Sequence, residues 1–200
     1  MALVDSWLNG LKKAPLLESG RLFMRPMCAG DLSFIHENMN DKRISYNLSY
    51  TPHPYTVEMA ENWMKNIDYG MSHANCCYWA VCEKDTKDPI GSMGISIFKE
   101  QEGAEMHYWI NADHWNRGYC TESSKRMIVH VFDILNAHRL AITHRENNLP
   151  SKKVIEKCGF VYEGMQRDGL KRFGKFENVI CYSMLRDDYK KLKSQNVFSY

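Results

Sequence analysis

The sequence lacks the signatures of several protein classes. Its seven cysteines show no paired CxxC spacing, and its eight histidines show no i, i+4 pairing of the kind that metal sites use. We therefore predict no metal site and no disulfide framework, and scattered reduced thiols are typical of a cytoplasmic protein. No continuous apolar stretch is long enough to span a membrane, and the N-terminus, with Asp5 early in the chain, does not resemble a secretion signal.

The chain also has no excess of charge of one sign. Its 26 Lys and Arg are interleaved with 24 Asp and Glu, so the formal net charge is only +2. A nucleic-acid-binding protein usually carries a concentrated basic stripe, whereas here only residues 190–193 are locally basic, as expected of a solvated helix end. We therefore predict neither a nucleic-acid partner nor a membrane partner.

Size and composition fit one globular domain. A chain of 200 residues with 44% hydrophobic and 25% charged residues can bury a sizeable core. We predict an N-terminal appendage at residues 1–18, a domain at 19–188 and a C-terminal tail at 189–200. Within the appendage, Leu3, Trp7 and Leu11 predict a short amphipathic helix that packs on the domain or on a partner subunit.

Hydrophobic periodicity predicts alternating strands and helices. The clearest helix spans residues 119–136, where Ile128, Val131, Phe132 and Leu135 share one face. Asp31 and Thr56 are placed to cap two earlier helices. Further segments complete the prediction: strands at 21–25, 77–82, 90–98, 104–110, 138–144, 160–162 and 177–185, a helix at 151–157, and a charged loop at 166–175. This order predicts an α+β fold (mixed α/β) with a mixed sheet.

The junction before the long helix is a candidate anion site. Residues 115–122 read WNRGYCTE and join an apolar strand to the helix start. A helix start leaves backbone N–H groups unpaired and carries the positive end of the helix dipole, and Gly118 permits a close backbone approach. Thr121 adds a hydroxyl. The structural alternative is an ordinary strand-turn-helix junction that binds nothing.

Several motifs in this order resemble one family. Five segments carry the resemblance: an opening segment from Arg21 to Pro26, the strand at 105–110, the loop at 118–122, the segment at 148–151 and the Gly159-Phe160 pair. With them, the chain resembles the GNAT superfamily of acetyltransferases, and within it the ribosomal-protein N-acetyltransferase (Rim-type) branch. The likeness extends to about residue 186. It implies a central, mostly antiparallel mixed sheet flanked by helices, with splayed strands that hold acetyl-coenzyme A as the acetyl donor.

The resemblance also implies the residues that bind this donor. Its diphosphate would rest on the backbone of residues 117–121, and its pantetheine amides would pair with the backbones of Trp109 and Ile110. Two side chains are bulkier than the family pattern, Asn116 in place of a glycine and Cys120 in place of a small residue. The predicted donor-binding residues are Trp109, Ile110, Arg117, Gly118, Tyr119, Cys120, Thr121 and Asn148.

Acetyl transfer requires a neutral amine, and this requirement guides the choice of catalytic residues. An α-amino group, with a pKa of about 7.7–8.0, is partly neutral at pH 7, so a modest base suffices. Glu105 matches a common family acid, and His107 on the same strand face is a second candidate base. If they have no catalytic role, Glu105 is an ordinary carboxylate at a strand edge and His107 is a half-buried strand histidine. Ser151 is our candidate acid for the leaving thiolate, and its alternative is an ordinary helix N-cap.

Two departures from the family concern the acceptor. Many members use a tyrosine as acid where this chain has Ile155, and a carboxylate of Rim-type enzymes aligns near Leu170. Residues 45–55 form an aromatic, irregular segment, from which Tyr46, Tyr50 and Tyr55 are predicted acceptor contacts. The expected reaction is acetylation of a protein N-terminal amine by a monomer or homodimer. The alternatives are a polyamine or aminoglycoside acetyltransferase and a non-catalytic acyl-coenzyme A-binding module.

Overall fold

Eight strands form one central sheet in the computed structural model, which describes residues 14–73 and 75–199. The strands are β1 (Leu17–Glu18), β2 (Leu22–Pro26), β3 (Cys76–Glu83), β4 (Pro89–Phe98), β5 (Gly103–Ile110), β6 (Arg139–Arg145), β7 (Val161–Arg172) and β8 (Lys175–Leu185). Their order in the sheet is β1-β2-β3-β4-β5-β6-β8-β7. All neighbours pair antiparallel except β5 and β6, which are parallel. The α+β class and the mostly antiparallel mixed sheet are confirmed.

Helices cover both faces of the sheet. They are α1 (Leu32–Asn40), α2 (Lys42–Ser45), α3 (Val57–Ser72), α4 (Tyr119–Val129), α5 (Leu149–Lys157) and α6 (Arg186–Ser194). One core cluster packs α4, α5 and α6 against the sheet through residues such as Met127, Phe132 and Ile155. A second cluster packs α1 and α3 on the opposite face through Ile35, Met64 and Ile67. Each face of the sheet therefore has its own set of helices.

Local signals explain where several helices begin and end. Thr56 caps α3 as predicted, because its hydroxyl accepts a hydrogen bond from the amide of Met59 at 3.2 Å. Helix α3 continues through Gly70 to Ser72. Helix α4 becomes a π-helical turn over His130–Ile134, within the predicted range. After α5, Gly159 adopts a φ of 87°, the left-handed conformation expected at this position.

The largest difference from the sequence prediction is the charged segment at residues 166–175. It is not a loop, because β7 extends to Arg172 and a turn at Phe173 and Gly174 leads directly into β8. Gln166 and residues 170–172 pair with β8, residues 167–169 form a bulge between them, and Leu170 and Arg172 are buried although their neighbours are exposed. Apart from Arg172, the charged residues that suggested a loop therefore occupy the solvent side of a long hairpin.

Both ends of the described chain pack on the same core cluster. Ala14 and Leu17 are buried in it near the N-terminus, and Tyr189 and Phe198 are buried in it near the C-terminus. The predicted domain limits at residues 19 and 188 therefore remain a prediction, with buried residues on both sides of each limit. The amphipathic helix predicted near Trp7 lies outside the described residues.

Candidate active site

An opening between β5 and β6 is the centre of the candidate site. The two strands pair only at their beginning, from Gly103 with Arg139 to Glu105 with Ala141. Beyond this point β5 continues to Ile110 and β6 continues to Arg145 without pairing to each other. Backbone groups at the diverging edges are therefore available to a ligand that lies between the strands.

The register shows which backbone groups face this opening. The amide of Asn111 donates to the carbonyl of Ile90 at 2.8 Å, so antiparallel alternation directs the backbone of Trp109 toward Ser92 on β4. Tyr108 and Ile110 instead direct theirs toward β6. This corrects the predicted pair, because Trp109 is already bonded within the sheet. The carbonyl of Ile110 also accepts a hydrogen bond from the indole N–H of Trp115 at 2.7 Å, so only the amide of Ile110 is available to a ligand in the opening.

The start of α4 has the backbone conformation that an anion site needs. Gly118 precedes the helix with a φ of 81°, and Asn116 has a φ of 61°, so Asn116 adopts the left-handed conformation that glycine enters most readily. Arg21, which our sequence analysis did not select, holds this loop. Its Nη1 donates to the carbonyl of Arg117 at 3.0 Å, and its Nε donates to the carboxylate of Glu122 at 2.8 Å.

A basic cavity of about 420 Å³ lies beside this helix start. Gly118 and Thr121 line it together with Arg21, which is paired with the carboxylate of Glu122 in the same lining, and with the cationic side chains of Lys125 and Lys157. This combination of helix dipole and positive charge suits a phosphorylated ligand.

The side chains of Tyr119 and Cys120 contact other parts of the protein instead of the cavity. The hydroxyl of Tyr119 donates to the carboxylate of Glu83, and the guanidinium of Arg21 lies over its ring at 4.5 Å. Cys120 packs against the core cluster, and burial raises the pKa of its thiol, so it is held as an unreactive thiol. Neither of these two side chains lines the cavity.

Asn148, rather than Ser151, caps the next helix. The side-chain oxygen of Asn148 accepts from the amide of Ser151 at 3.2 Å at the start of α5. The hydroxyl of Ser151 is therefore not used as a cap, and it shares a hydrogen bond of 2.9 Å with the hydroxyl of Tyr108. Burial raises the pKa of Tyr108 well above its ordinary value, so this phenol stays protonated. Sequence reasoning missed Tyr108, because nothing in a strand pattern indicates a partner on a distant helix.

Glu105 and His107 lie on the other face of β5. The carboxylate of Glu105 accepts a hydrogen bond from the hydroxyl of Thr143 at 3.4 Å across the opening. The Nε2 of His107 is 2.9 Å from the hydroxyl of Ser96. Burial lowers the pKa of His107, an effect that nearby Glu105 opposes, so the imidazole is neutral at pH 7. Glu105 and the Tyr108–Ser151 pair thus approach the opening from opposite faces.

The three predicted acceptor tyrosines have different environments. Tyr46 is 45% exposed and Tyr50 is 89% exposed, as expected of contacts for a second substrate. Tyr55 is only 8% exposed, and its hydroxyl donates to the carbonyl of Met59 at 3.3 Å. It packs in the cluster under α1 and α3. Tyr55 is therefore a core residue, which corrects the sequence prediction.

Two arginines tie the aromatic segment to the sheet. Arg145 at the end of β6 binds the carboxylate of Glu177 through two hydrogen bonds of 2.6 and 2.8 Å and also donates to the carbonyl of Tyr46. Arg172 is buried in the hairpin and donates to three carbonyls of this segment, those of Ser45, Leu48 and Thr51. Neither arginine was selected from the sequence, since both look like surface charges there.

Two further searches concern the part of the chain that the structure describes. No group of three or more His, Cys, Asp or Glu side chains is arranged there to hold a metal ion. Across the same residues, every helix is too short or too polar to cross a lipid bilayer.

The chain belongs to the GNAT acetyltransferase family, because its residues 21–161 match the model of the Acetyltransferase (GNAT) domain. It is thus an acetyltransferase that acts on amines, as predicted from the sequence. It is 26% identical over 174 residues to the N-acetyltransferase p20 of Bacillus licheniformis, covering 86% of this chain and 97% of that protein.

Two relatives represent the two acceptor classes considered above. The spermidine N(1)-acetyltransferase of Vibrio cholerae is 27% identical over 172 residues, which cover 86% of this chain and 96% of that protein. The solved structure of RimL, a ribosomal-protein α-N-acetyltransferase in complex with coenzyme A, superposes with a TM-score of 0.79 at 16% identity, over 87% of this chain and 99% of RimL. The family is confirmed, whereas membership of the Rim-type branch remains a prediction.

Proposed function

We propose that this acetyltransferase takes its acetyl group from acetyl-coenzyme A and transfers it to the α-amino group of a polypeptide N-terminus. The supporting observation is the charge of the acceptor face. The carboxylates of Glu163 and Glu177 are neutralised by Arg139 and Arg145, so Glu105 is left without a cationic partner among the described residues. With Glu163 and Glu177 paired, the carboxylates without a cationic partner near the opening are few, Glu105 and Glu146 among them, and this suits an acceptor with one amine better than it suits a polycation.

The donor side fits a long anionic thioester. Phosphates would lie at Gly118 and Thr121, among the cationic groups of the cavity. From there, the pantetheine amides would meet the free backbone of Tyr108 and Ile110 and the amide nitrogen of Asn148. RimL, with its bound coenzyme A, supports the same donor for this chain.

Glu105 would act as the base. The carboxylate accepts a proton from the acceptor ammonium, directly or through one water, and the neutral nitrogen then attacks the thioester carbonyl. The hydrogen bond from Thr143 keeps this carboxylate directed at the opening. His107 remains the alternative base, although its Nε2 is already engaged with Ser96.

Ser151 would donate a proton to the departing sulfur. Its hydroxyl lies 2.9 Å from that of Tyr108, so the phenol, which stays protonated, can donate a hydrogen bond to the serine oxygen while the serine donates toward the sulfur, and solvent then returns the proton that the serine gives up. A thiolate with a pKa near 8.5 leaves with modest help, so we expect this pair to contribute less than the base.

A polyamine is the second candidate acceptor. It is favoured by the likeness to the Vibrio cholerae spermidine acetyltransferase along nearly its whole length. The two acceptors differ in what they require, because a polyamine carries several charges that need carboxylates beyond Glu105.

A donor-consumption assay distinguishes the candidates. Acetyl-coenzyme A is incubated with peptides of varied first residue, with spermidine and with an aminoglycoside, and thiol release is measured. We expect transfer to peptides with free N-termini and none to the same peptides after N-terminal blocking. Transfer confined to the small amines would replace this proposal with the second candidate. Coenzyme A binding without transfer to any amine would favour a non-catalytic module.

Replacing Glu105 tests its role as base. We expect Glu105→Gln to lower kcat/KM for the preferred acceptor by about 100-fold, since general base catalysis typically contributes 10²–10⁴-fold. The loss should shrink as the pH rises above 8, because the amine then loses its proton without help. Glu61→Gln on the exposed side of α3 is the matched control. An unchanged kcat/KM at pH 7 would transfer the role to His107.

A further inference from the structure

An exposed aromatic surface borders the acceptor side of the opening. The ring of Tyr46 packs against Phe173 at the hairpin turn, with centroids 4.8 Å apart, and against His53 at 5.9 Å. Phe173 is 53% exposed and Tyr46 is 45% exposed. We call these three residues the aromatic patch. The Nδ1 of His53 is buried and has no hydrogen-bond partner among the described residues. Two distant segments of the chain build this patch, so it is a product of the fold.

The patch is held in place from below. Arg172 connects the hairpin to the segment at residues 45–51 through three carbonyls, and its guanidinium lies 4.5 Å from the centre of the Phe173 ring. Arg145 fixes the carbonyl of Tyr46 from β6. A surface held at several points loses little conformational entropy when it binds a ligand, which favours binding.

The surroundings of the patch are positively charged. Lys42 lies four residues before Tyr46 on the helical turn of α2, and Lys175 faces the same side of the hairpin as its cross-strand partner Arg172. Neither lysine has a carboxylate partner among the described residues, and Arg172 is bonded only to carbonyls there. The nearby carboxylates of Asp41 and Glu177 are paired with Arg43 and Arg145. The patch is thus aromatic with a cationic border.

The patch is within reach of the reaction centre. Thr143 contacts Glu105, and Arg145, two residues further along β6, donates to the carbonyl of Tyr46. Two strand residues span about 7 Å and the arginine side chain adds a similar length, so at most about four residues of extended peptide bridge Glu105 and the backbone of Tyr46. An amine at Glu105 would therefore place its following residues on the patch.

We propose that this surface docks the acceptor polypeptide and selects acidic residues about four positions after the acetylated amine. This inference rests on the proposed function. Carboxylates of the acceptor would pair with Lys42 and Lys175, and its apolar groups would pack on Tyr46 and Phe173. A polyamine would be repelled by the same border.

Peptide binding tests the surface separately from catalysis. Fluorescently labelled peptides share their first three residues and carry glutamate, glutamine or lysine at positions four to six. Their affinity for the coenzyme A-loaded protein is measured by anisotropy, and their acetylation is measured by thiol release. We expect the acidic peptide to bind at least 10-fold more tightly than the neutral one, with the basic peptide weakest. Added salt should reduce the difference.

Charge reversal provides the decisive comparison. In the double variant Lys42→Glu and Lys175→Glu, the basic peptide should become the tightest binder. The double variant Lys65→Glu and Lys191→Glu makes the same charge change on exposed sites elsewhere and should keep the original order. Equal affinity of all three peptides, or the same response in both double variants, would overturn the inference. Acidic preference in binding without acetylation would leave the docking surface intact and refute the proposed function instead.

Discussion

His130 is a buried titratable residue that no step of the proposed reaction uses. Its side chain is fully buried in the π-helical turn after α4, its ring contacts Trp79 edge-on, and neither ring nitrogen has a hydrogen-bond partner in the described chain. Burial, helped by nearby Arg126, lowers its pKa from 6.5 to about 4. The imidazole is therefore held neutral, as one more member of the core.

This burial predicts a loss of stability in mild acid. The unfolded chain binds a proton at His130 near pH 6.5, whereas the folded chain does so only near pH 4. The contribution to folding is therefore complete above pH 6.5 and declines as the pH falls from 6.5 to 4, by about 3 kcal/mol in total. Urea unfolding of His130→Leu should show a shallower decline over this window. The exposed His138→Leu should decline as the parent does, and equal slopes for all three proteins would contradict the assignment.

Single residues were predictable where their role follows from a local pattern. Gly118 was selected because it precedes a periodic helix and Glu105 because it matches a common family acid, and the functional roles of both stay predictions. Tyr55 was misassigned because the amino-acid type of a loop aromatic does not show which side of the loop it faces. Tyr108, Arg145 and Arg172 were missed because their partners are far away in the sequence.

At the scale of elements, the turn after α5 depends on a glycine for two separate reasons. Gly159 has a φ of 87°, and an added Cβ would lie 2.6 Å from the Cδ1 of Leu192 on α6. Gly174 at the hairpin turn has a similar φ of 78°, but no atom lies within 4 Å of its added Cβ. Comparing substitutions at the two glycines therefore separates the cost of backbone strain from the cost of steric overlap.

Alanine substitution at the two glycines should have unequal effects. Gly174→Ala should cost about 1 kcal/mol, the penalty of a left-handed conformation alone. Gly159→Ala should cost about 2 kcal/mol, because the Leu192 side chain must also rotate away from the new methyl group. Chemical denaturation measures both. Equal losses would mean that α6 moves aside without resistance.

The hairpin of β7 and β8 supports the aromatic segment through Arg172. Replacing it by methionine, Arg172→Met, keeps much of the apolar stem but removes the donors to Ser45, Leu48 and Thr51. Amide hydrogen exchange over residues 46–54 should accelerate at least 10-fold while the strands keep their protection. Arg139→Met, which breaks the exposed ion pair with Glu163, is the control and should leave this segment unchanged. Equal exchange in both variants would show that Arg172 is not the tether.

Helices with a clear hydrophobic periodicity were predicted well, whereas the strands of the β7–β8 hairpin, which depend on pairing with each other, were not. The helices α3 and α4 follow from their apolar faces and from Thr56 and Gly118. The hairpin was taken for a loop because residues 166–175 are mostly charged and include glycine, and this composition is the same in a loop and in an exposed edge strand. Only the partner strand distinguishes the two.

At the scale of the whole molecule, the C-terminus completes the main core. Phe198 is 6% exposed and packs on Tyr189 with ring centroids 5.2 Å apart, and the preceding carbonyl of Val197 accepts from Lys125 at 2.6 Å. Residues near the end of the chain thus contact a lysine of the proposed phosphate cavity. The sequence did not predict this packing, since the segment lacks a periodic pattern.

Truncating this aromatic residue should destabilise the whole domain. Phe198→Ala should lower the free energy of unfolding by about 3 kcal/mol, the lower end of the range for buried aromatic side chains. Phe176→Ala removes the same group from a side chain that is 60% exposed and should cost less than about 0.5 kcal/mol. Thermal and urea denaturation test both. A small loss at Phe198 would mean that the last residues are only loosely attached.

Because β5 and β6 pair over only three residues, the sheet consists of two halves joined at a narrow pivot. Two half-sheets, β1 to β5 and β6 to β8, share hydrogen bonds in the sheet only from Gly103 to Glu105, and their tips lie about five residues, or roughly 16 Å, beyond this pivot. A rotation of about 5° at the pivot would shift the tips by about 1.4 Å, comparable to displacements that cost an enzyme 100-fold in rate. We therefore expect larger side chains in place of Ala104 or Ala141 at the pivot to change the width of the opening as well as the packing of the sheet.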